Sequence, residues 1–411
     1  MFTLYNILLH FANVILKIFG LFNHKIKLGV VGRRKTFNRL NKVLSKGDKS
    51  IWFHCASLGE YEQGLPVFEE IIRLYPSNKI VLSFFSPSGF ESKKNTSIAD
   101  LVVYLPIDTK RNARDFLNIL NPELVIFVKY EFWPNYLNEI IKQNKKAILI
   151  SALLRPNQIF FKPYGKWMPK YLKAFDHFFV QNELSKKLFN SIGFQNVTIS
   201  GDTRYDRVSN QLKMNNSLPS IEEFKDNKLC FVAGSTWPEG EDLICDYINS
   251  NPSLDIKFII APHDVKPNRI KQLQKKLKTG GIIFSEKDNE KLKEGQVLII
   301  NTIGLLSKIY SYADITYVGG ALGSTGLHNI LEPAVFGSPI IIGKNHTKFP
   351  EAKLMIEQGG VFCINSKLEF KSVLSGLIKN VESRKQAGLL NSKYIEKNKG
   401  AVIQILDYLR R

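Results

Sequence analysis

Residues 318–343 read VGGALGSTGLHNILEPAVFGSPIIIG. An apolar strand ends in Gly319 and Gly320, a loop of small residues follows, and a helix is expected to start near His328 and reach Glu332-Pro333-Ala334. A second apolar strand, 339–342, lies between Gly337 and Gly343, as suits a buried parallel strand. A helix start presents N–H groups without intrahelical partners, together with partial positive charge, and glycines let an anion approach the backbone closely. The stretch therefore predicts a nucleotide phosphate site, with Glu332 one turn inside the helix and able to accept hydrogen bonds from a sugar diol.

Working outward, the 411 residues are 44% apolar, enough for a sizeable core and, by length, two domains. Lys and Arg outnumber Asp and Glu by 57 to 37, a formal +20, which points to an anionic partner: nucleic acid, membrane surface or phosphorylated substrate. Cys55, Cys230, Cys245 and Cys363 are scattered, with no C-x-x-C, which argues against a zinc site or a disulfide framework. The motifs of P-loop NTPases, dinucleotide enzymes and zinc hydrolases are absent.

Residues 1–22 are apolar apart from Thr3, Asn6, His10, Asn13, Lys17 and Gly20, whose spacing of three and four places them on one narrow helical stripe. At ~1.5 Å per residue such a helix is long enough to cross a bilayer or to lie in one leaflet. Residues 1–49 hold ten basic side chains and one acidic one, nearly half of the net charge, so the body is expected on the cytoplasmic side against anionic lipid. Residues 140–175 add eight basic and no acidic residues, interleaved with Phe160, Phe161, Tyr164, Trp167, Tyr171 and Phe175. Such a mixture suits single-stranded nucleic acid or a membrane interface, and beside an apolar helix the interface is preferred, with Arg155 or Lys162 meeting a lipid-linked phosphate.

Between these landmarks the chain alternates strand, loop and helix. Strands are expected at 51–57, 80–85, 101–105, 124–128, 147–151, 178–181 and 197–200, then at 229–233, 256–260, 297–301 and 361–364. The polar run 210–228 reads as a linker. The expected organisation is an anchor helix at 1–24, an N-terminal domain at 25–209, and a C-terminal domain at 229–411 whose last helices can cross back.

Several motifs together carry a resemblance. The GG, HN, LEPA, FG and PI of residues 318–343, the Ser57-x-Gly59-Glu60 after the first strand, and Tyr130-Glu131-Phe132-Trp133-Pro134-Asn135 are similar to the signatures of the Kdo transferases of lipopolysaccharide synthesis, within the GT-B glycosyltransferases. So is Gly201-Asp202-Thr203-Arg204-Tyr205-Asp206. Where the family writes E-T-E-L-W-P-N, Lys129 replaces the first glutamate and Glu131 keeps the second; Leu327 stands where a second glycine before HN is usual. The resemblance runs almost end to end.

It implies an α/β GT-B fold, two doubly wound Rossmann-like domains with a cleft between them, plus the membrane-anchoring helix. It implies transfer of Kdo from CMP-Kdo to a lipid A precursor, with Glu60 as general base and Ser57, Gly59, Glu131 and Arg155 on the acceptor side. Donor contacts are assigned to Arg204, Gly234, Ser235, Thr236, His263, Gly320, Ser324, Thr325, Asn329 and Glu332. No metal or cofactor is expected, and no nucleic acid; the place is the cytoplasmic face of the inner membrane. Glu60, in a first helical turn, is expected to have a lowered pKa. Two other readings remain: a membrane-associated GT-B enzyme using a UDP-sugar, and a non-catalytic basic protein that binds lipid or nucleic acid.

Overall fold

The computed structural model describes residues 1–410, so the expected final helix is followed to that point and Arg411 lies outside it. The chain divides into two compact units, Met1–Arg207 with Lys399–Arg411, and Val208–Asn398. Each is built on a seven-stranded parallel sheet.

In the first unit the strands are β1 (Ser50–Cys55), β2 (Lys79–Phe84), β3 (Leu101–Tyr104), β4 (Pro122–Val128), β5 (Lys146–Ala152), β6 (His177–Val180) and β7 (Val197–Ile199), in the order 3-2-1-4-5-6-7. Period-two alternation sends neighbouring residues of one strand into different cores. Trp52 joins the cluster with Phe116, Phe127 and Tyr136, while Phe53 joins the one with Phe68 and Phe84. The second core is completed by the closing helix Ala401–Leu409, through Val402, Ile405 and Leu406. Asp206, the last residue of the Gly201–Asp206 motif, holds this helix by accepting from the backbone N–H of Gly400 (2.9 Å) and Ala401 (3.1 Å).

The second unit contains β8 (Leu229–Thr236), β9 (Ile256–Pro262), β10 (Ile282–Ile283), β11 (Val297–Ile299), β12 (Ile315–Val318), β13 (Ile340–Gly343) and β14 (Val361–Ile364), in the order 10-11-9-8-12-13-14. The two-residue β10 is too short to leave a hydrophobic pattern and escapes sequence reading. In both sheets the order reverses beside the first strand, so the carboxyl ends of β1 and β4, and of β8 and β12, frame the switch points where parallel sheets receive ligands.

Three expectations are corrected. Residues 210–228 do not simply link: the helix Thr203–Gln211 runs into them, and Ile221 and Phe224 of the helix Pro219–Lys225 are buried in a core of the second unit with Val232 and Ile259. The strand expected at 229–233 runs on to Thr236 through a bulge at 234–236, with Ser235 at φ 50°. The helix after the glycine loop starts at Leu331, not near His328, and spans only Leu331–Ala334.

The helix Phe2–Phe22 is long and apolar enough to cross a membrane. The side that meets protein runs through Phe2, Tyr5, Asn6, Leu9 and Asn13 to Gly20, while Thr3, His10 and Lys17 of the expected polar stripe are exposed: the Tyr5 hydroxyl donates to Asp108 (2.7 Å), Asn6 Oδ1 accepts from Asn135 (3.0 Å), and Phe2 packs on Tyr171. Leu8, Phe11, Phe19 and Phe22 on the other faces are exposed. Phe160, Tyr171 and Phe175 are core residues, so among the aromatic side chains of 140–175 only Tyr164 is strongly exposed, against the expectation of an aromatic interface belt.

In the second unit Gly388 packs its backbone directly on Gly337, and a Cβ there would run into the Gly337 carbonyl. Gly388→Ala should therefore destabilise the protein by ~1–3 kcal/mol, read as a lower urea midpoint with an unchanged slope.

Candidate functional site

At the first switch point, β1 ends at Cys55, Ala56 and Ser57 follow, and the helix Leu58–Leu74 begins at once, which brings Glu60 back over the strand end. Its Oε2 accepts from the N–H of Ala56 and of Ser57 (3.2 Å), so the first turn uses the carboxylate to satisfy the chain's own donors. Glu60 is 5% exposed. Burial pushes its pKa up to about 8, with the Glu131 charge as the next cause; the two backbone N–H groups and Lys129 pull the other way. The expected lowering at a helix start is thus reversed, because desolvation outweighs two amides and one cation.

Glu131 follows β4, the sheet neighbour of β1. Its Oε2 accepts from Trp133 Nε1 (2.8 Å) and meets His54 Nε2 (3.3 Å). The buried His54 ring reaches Ser83 Oγ at 2.8 Å on its other side, and Trp52 Nε1 donates to the same oxygen at 2.7 Å. Trp52, His54, Ser83 and Trp133 thus form a buried polar chain that sequence reading missed. The available signal was the period-two spacing of Trp52 and His54, which puts both on one face of β1, with His54 in register opposite Ser83. Lys129, in place of the family's glutamate, adopts φ 66°, an uncommon conformation for a side chain with Cβ.

Gly59 is exposed, and a Cβ there would meet open space, so the surface beside Glu60 is clear. Arg155 is exposed and its backbone N–H bonds Gln158 (2.9 Å). Arg204, expected among the donor contacts, belongs to the first unit, where its guanidinium is forked on Asp202 at 2.8 and 2.9 Å.

In the second unit Gly234, Ser235, Thr236, Gly320, Asn329 and Glu332 gather where β8 and β12 end. The glycines serve the protein rather than leaving space: a Cβ on Gly234 would strike the Tyr310 hydroxyl, on Gly319 the Ser235 carbonyl, and on Gly320 (φ 99°) the Gly326 carbonyl. Thr236 is buried and donates to Glu241 (3.0 Å), which pairs with Arg269, and Thr325 donates to the Gly320 carbonyl (2.8 Å). Asn329 caps Leu331 N–H (3.1 Å) and donates to Glu332 Oε1 (3.1 Å); Ser307 donates to Glu332 Oε2 (3.1 Å). Ser324 is exposed, and among the described residues the N–H groups of residues 322–327 find no acceptor within the protein.

His263 lies in an aromatic stack that was not foreseen. Its ring is 4.8 Å from Trp237 and 4.7 Å from His328, and Trp237 Nε1 donates to His328 Nε2 (2.9 Å). That bond places any proton of neutral His328 on Nδ1, and burial followed by the neighbouring His263 pushes its pKa down to about 4. Among the described residues no three His, Cys, Asp or Glu side chains converge as metal ligands do.

Residues 31–207 match the family model of 3-deoxy-D-manno-octulosonic-acid transferase, the Kdo transferase. The 3-deoxy-D-manno-octulosonic acid transferase of Haemophilus influenzae is 30% identical over 385 residues, covering 88% of this chain and 87% of the relative. That of Aquifex aeolicus is 26% identical, covering 85% and 92%. Among solved structures, the UDP-GlcNAc 2-epimerase of Neisseria meningitidis superimposes with a TM-score of 0.63 at 16% identity, over 89% of this chain and all of that one, a likeness of GT-B fold. The end-to-end match, with Glu60 and Glu131 buried together at the first switch point, shows that the chain belongs to the Kdo transferase family of glycosyltransferases of lipopolysaccharide synthesis.

Proposed function

We propose that this protein transfers Kdo from CMP-Kdo to a hydroxyl of a lipid A precursor, with inversion at the anomeric carbon and Glu60 as general base, at the cytoplasmic face of the inner membrane. The observation that carries the reading is Glu60 itself: a buried carboxylate with a raised pKa beside the clear surface at Gly59. In the proposal Glu60 takes the acceptor proton as the hydroxyl attacks, and Glu131, held by Trp133 and His54, keeps the proton affinity of Glu60 high. Ser57 supports Glu60 through its N–H, and Arg155 meets the acceptor.

The donor nucleotide is assigned to the second unit. The phosphate would meet Ser235, Ser324 and the N–H groups of residues 322–327, while Glu332, braced by Ser307 and Asn329, has acceptor capacity left for the ribose. His263 and Trp237 offer flat faces beside that loop. These donors stabilise the departing CMP, and we propose that no divalent ion takes part.

The experiment is release of CMP from CMP-Kdo by the purified protein with a lipid A precursor, in EDTA. Wild type should turn over, and Glu60→Gln should lose at least a hundredfold in kcat with acceptor binding kept. Consumption of a UDP-sugar instead, or activity indifferent to Glu60, overturns the reading.

A base titrating near 8 should give kcat/KM an acid limb that rises through that pH. Glu131→Gln removes the like charge that raises Glu60 and should move the limb to lower pH. Lys129→Gln removes a charge that lowers it and should move the limb higher. A pH–rate series on the three proteins checks both signs. Gly59→Val, projecting into open space, should leave the melting temperature unchanged and raise the acceptor KM at least fivefold.

A further inference from the structure

The protein-facing side of the N-terminal helix has two halves with different fates. Tyr5 and Asn6 are hydrogen-bonded to the first unit. One and two turns after the half-buried Leu9, Asn13 and Lys17 instead reach a cavity of about 240 Å³ between this helix, the helix His24–Arg34 and the loop after β3. Its polar lining is Asn13, Lys17, Arg33, Arg34 and Asn112, with no carboxylate, and its apolar wall includes Leu16, Val30 and Phe37. Among the described residues neither Asn13 nor Lys17 makes a side-chain hydrogen bond, and none of the three cations is ion-paired.

Arg33 is the built part of this site. Its Nε donates to the Leu105 carbonyl (3.1 Å) and one terminal nitrogen to the Phe85 carbonyl (2.6 Å), while the guanidinium lies 4.3 Å above the Phe85 ring. Gly29 makes room for it, since a Cβ there would press on the same guanidinium. Two carbonyls and a ring orient the group but bring no negative charge, and three of its five N–H donors stay uncommitted. A half-buried cation held so firmly without a counterion is costly unless an anion arrives.

We propose that this cavity binds a lipid-borne phosphate group. Three cations and two amides suit a phosphate. The volume falls below the ~300–1,000 Å³ of clefts for drug-sized ligands and fits a headgroup fragment. The wall helix exposes Ile15, Ile18 and Phe19 beside Lys17, so an acyl chain attached to the phosphate can follow an apolar surface out of the cavity. The phosphate can come from the bilayer or from the acceptor itself, and only the second source rests on the proposed transferase reading.

The test uses the full chain in non-ionic micelles, titrated with dihexanoyl phosphatidic acid and with dihexanoylglycerol. Wild type should bind the phosphate ester at least tenfold more tightly than the diol. The exposed-cation double variant Lys17→Gln/Arg34→Gln and the single variant Arg33→Gln should each lose that preference, Arg33→Lys should restore part of it, and Lys25→Gln/Lys27→Gln, outside the cavity, should keep it. Equal binding of the two amphiphiles by wild type, or an undiminished preference in a double variant with wild-type melting, overturns the site whether or not transfer is observed. The source is read from kinetics on a lipid A precursor. A tenfold rise in KM at constant kcat in the double variant, absent with a dephosphorylated acceptor, assigns the phosphate to the acceptor; an unchanged KM with lost phosphatidic acid binding assigns it to the bilayer.

Discussion

Two carboxylates held together in a dry place repel each other and lose hydration, and the first unit is arranged around tolerating that cost for Glu60 and Glu131. Every neighbour supplies something. The end of β1 turns two backbone N–H groups onto Glu60, Trp133 and His54 bond Glu131, and Lys129 adds a positive charge from a left-handed backbone conformation. The balance still leaves Glu60 well above the ordinary carboxylate range. In the proposed reaction, a carboxylate tuned upward in this way is a stronger base when ionised, which suits abstraction from a hydroxyl, a poor acid.

The second unit solves a different problem with similar topology. The loop after β12 lies close to the sheet, and the glycines make that possible by removing Cβ atoms that would meet the Ser235 and Gly326 carbonyls. Loop side chains are largely engaged inward: Thr325 on the Gly320 carbonyl, Asn329 on Leu331 and Glu332. What the loop turns outward is mainly backbone N–H, a fixed set of donors with no side-chain entropy to lose.

The N-terminal helix joins the two levels. Packing of Phe2 on Tyr171 and the Tyr5–Asp108 bond tie one side of it to the segments that follow β3 and β5, and its apolar faces remain open.

The succession of strands and helices was largely legible in the sequence, because buried parallel strands write continuous apolar runs such as 340–343; the two switch points follow from the strand orders in the sheets. The positions of Glu60 and Glu131 were legible too, since each follows a strand at short range, whereas Glu332 lies beyond a long glycine loop after β12. Local signals failed where distant segments decide. Whether residues 210–228 link or pack depends on the pocket that receives Ile221 and Phe224. The direction of the Glu60 shift depends on how much water the fold removes and on a second carboxylate 71 positions further along the chain. Chain-local chemistry sets which groups are present at a strand's end, while desolvation and charge coupling are properties of three-dimensional proximity, which only the tertiary structure decides.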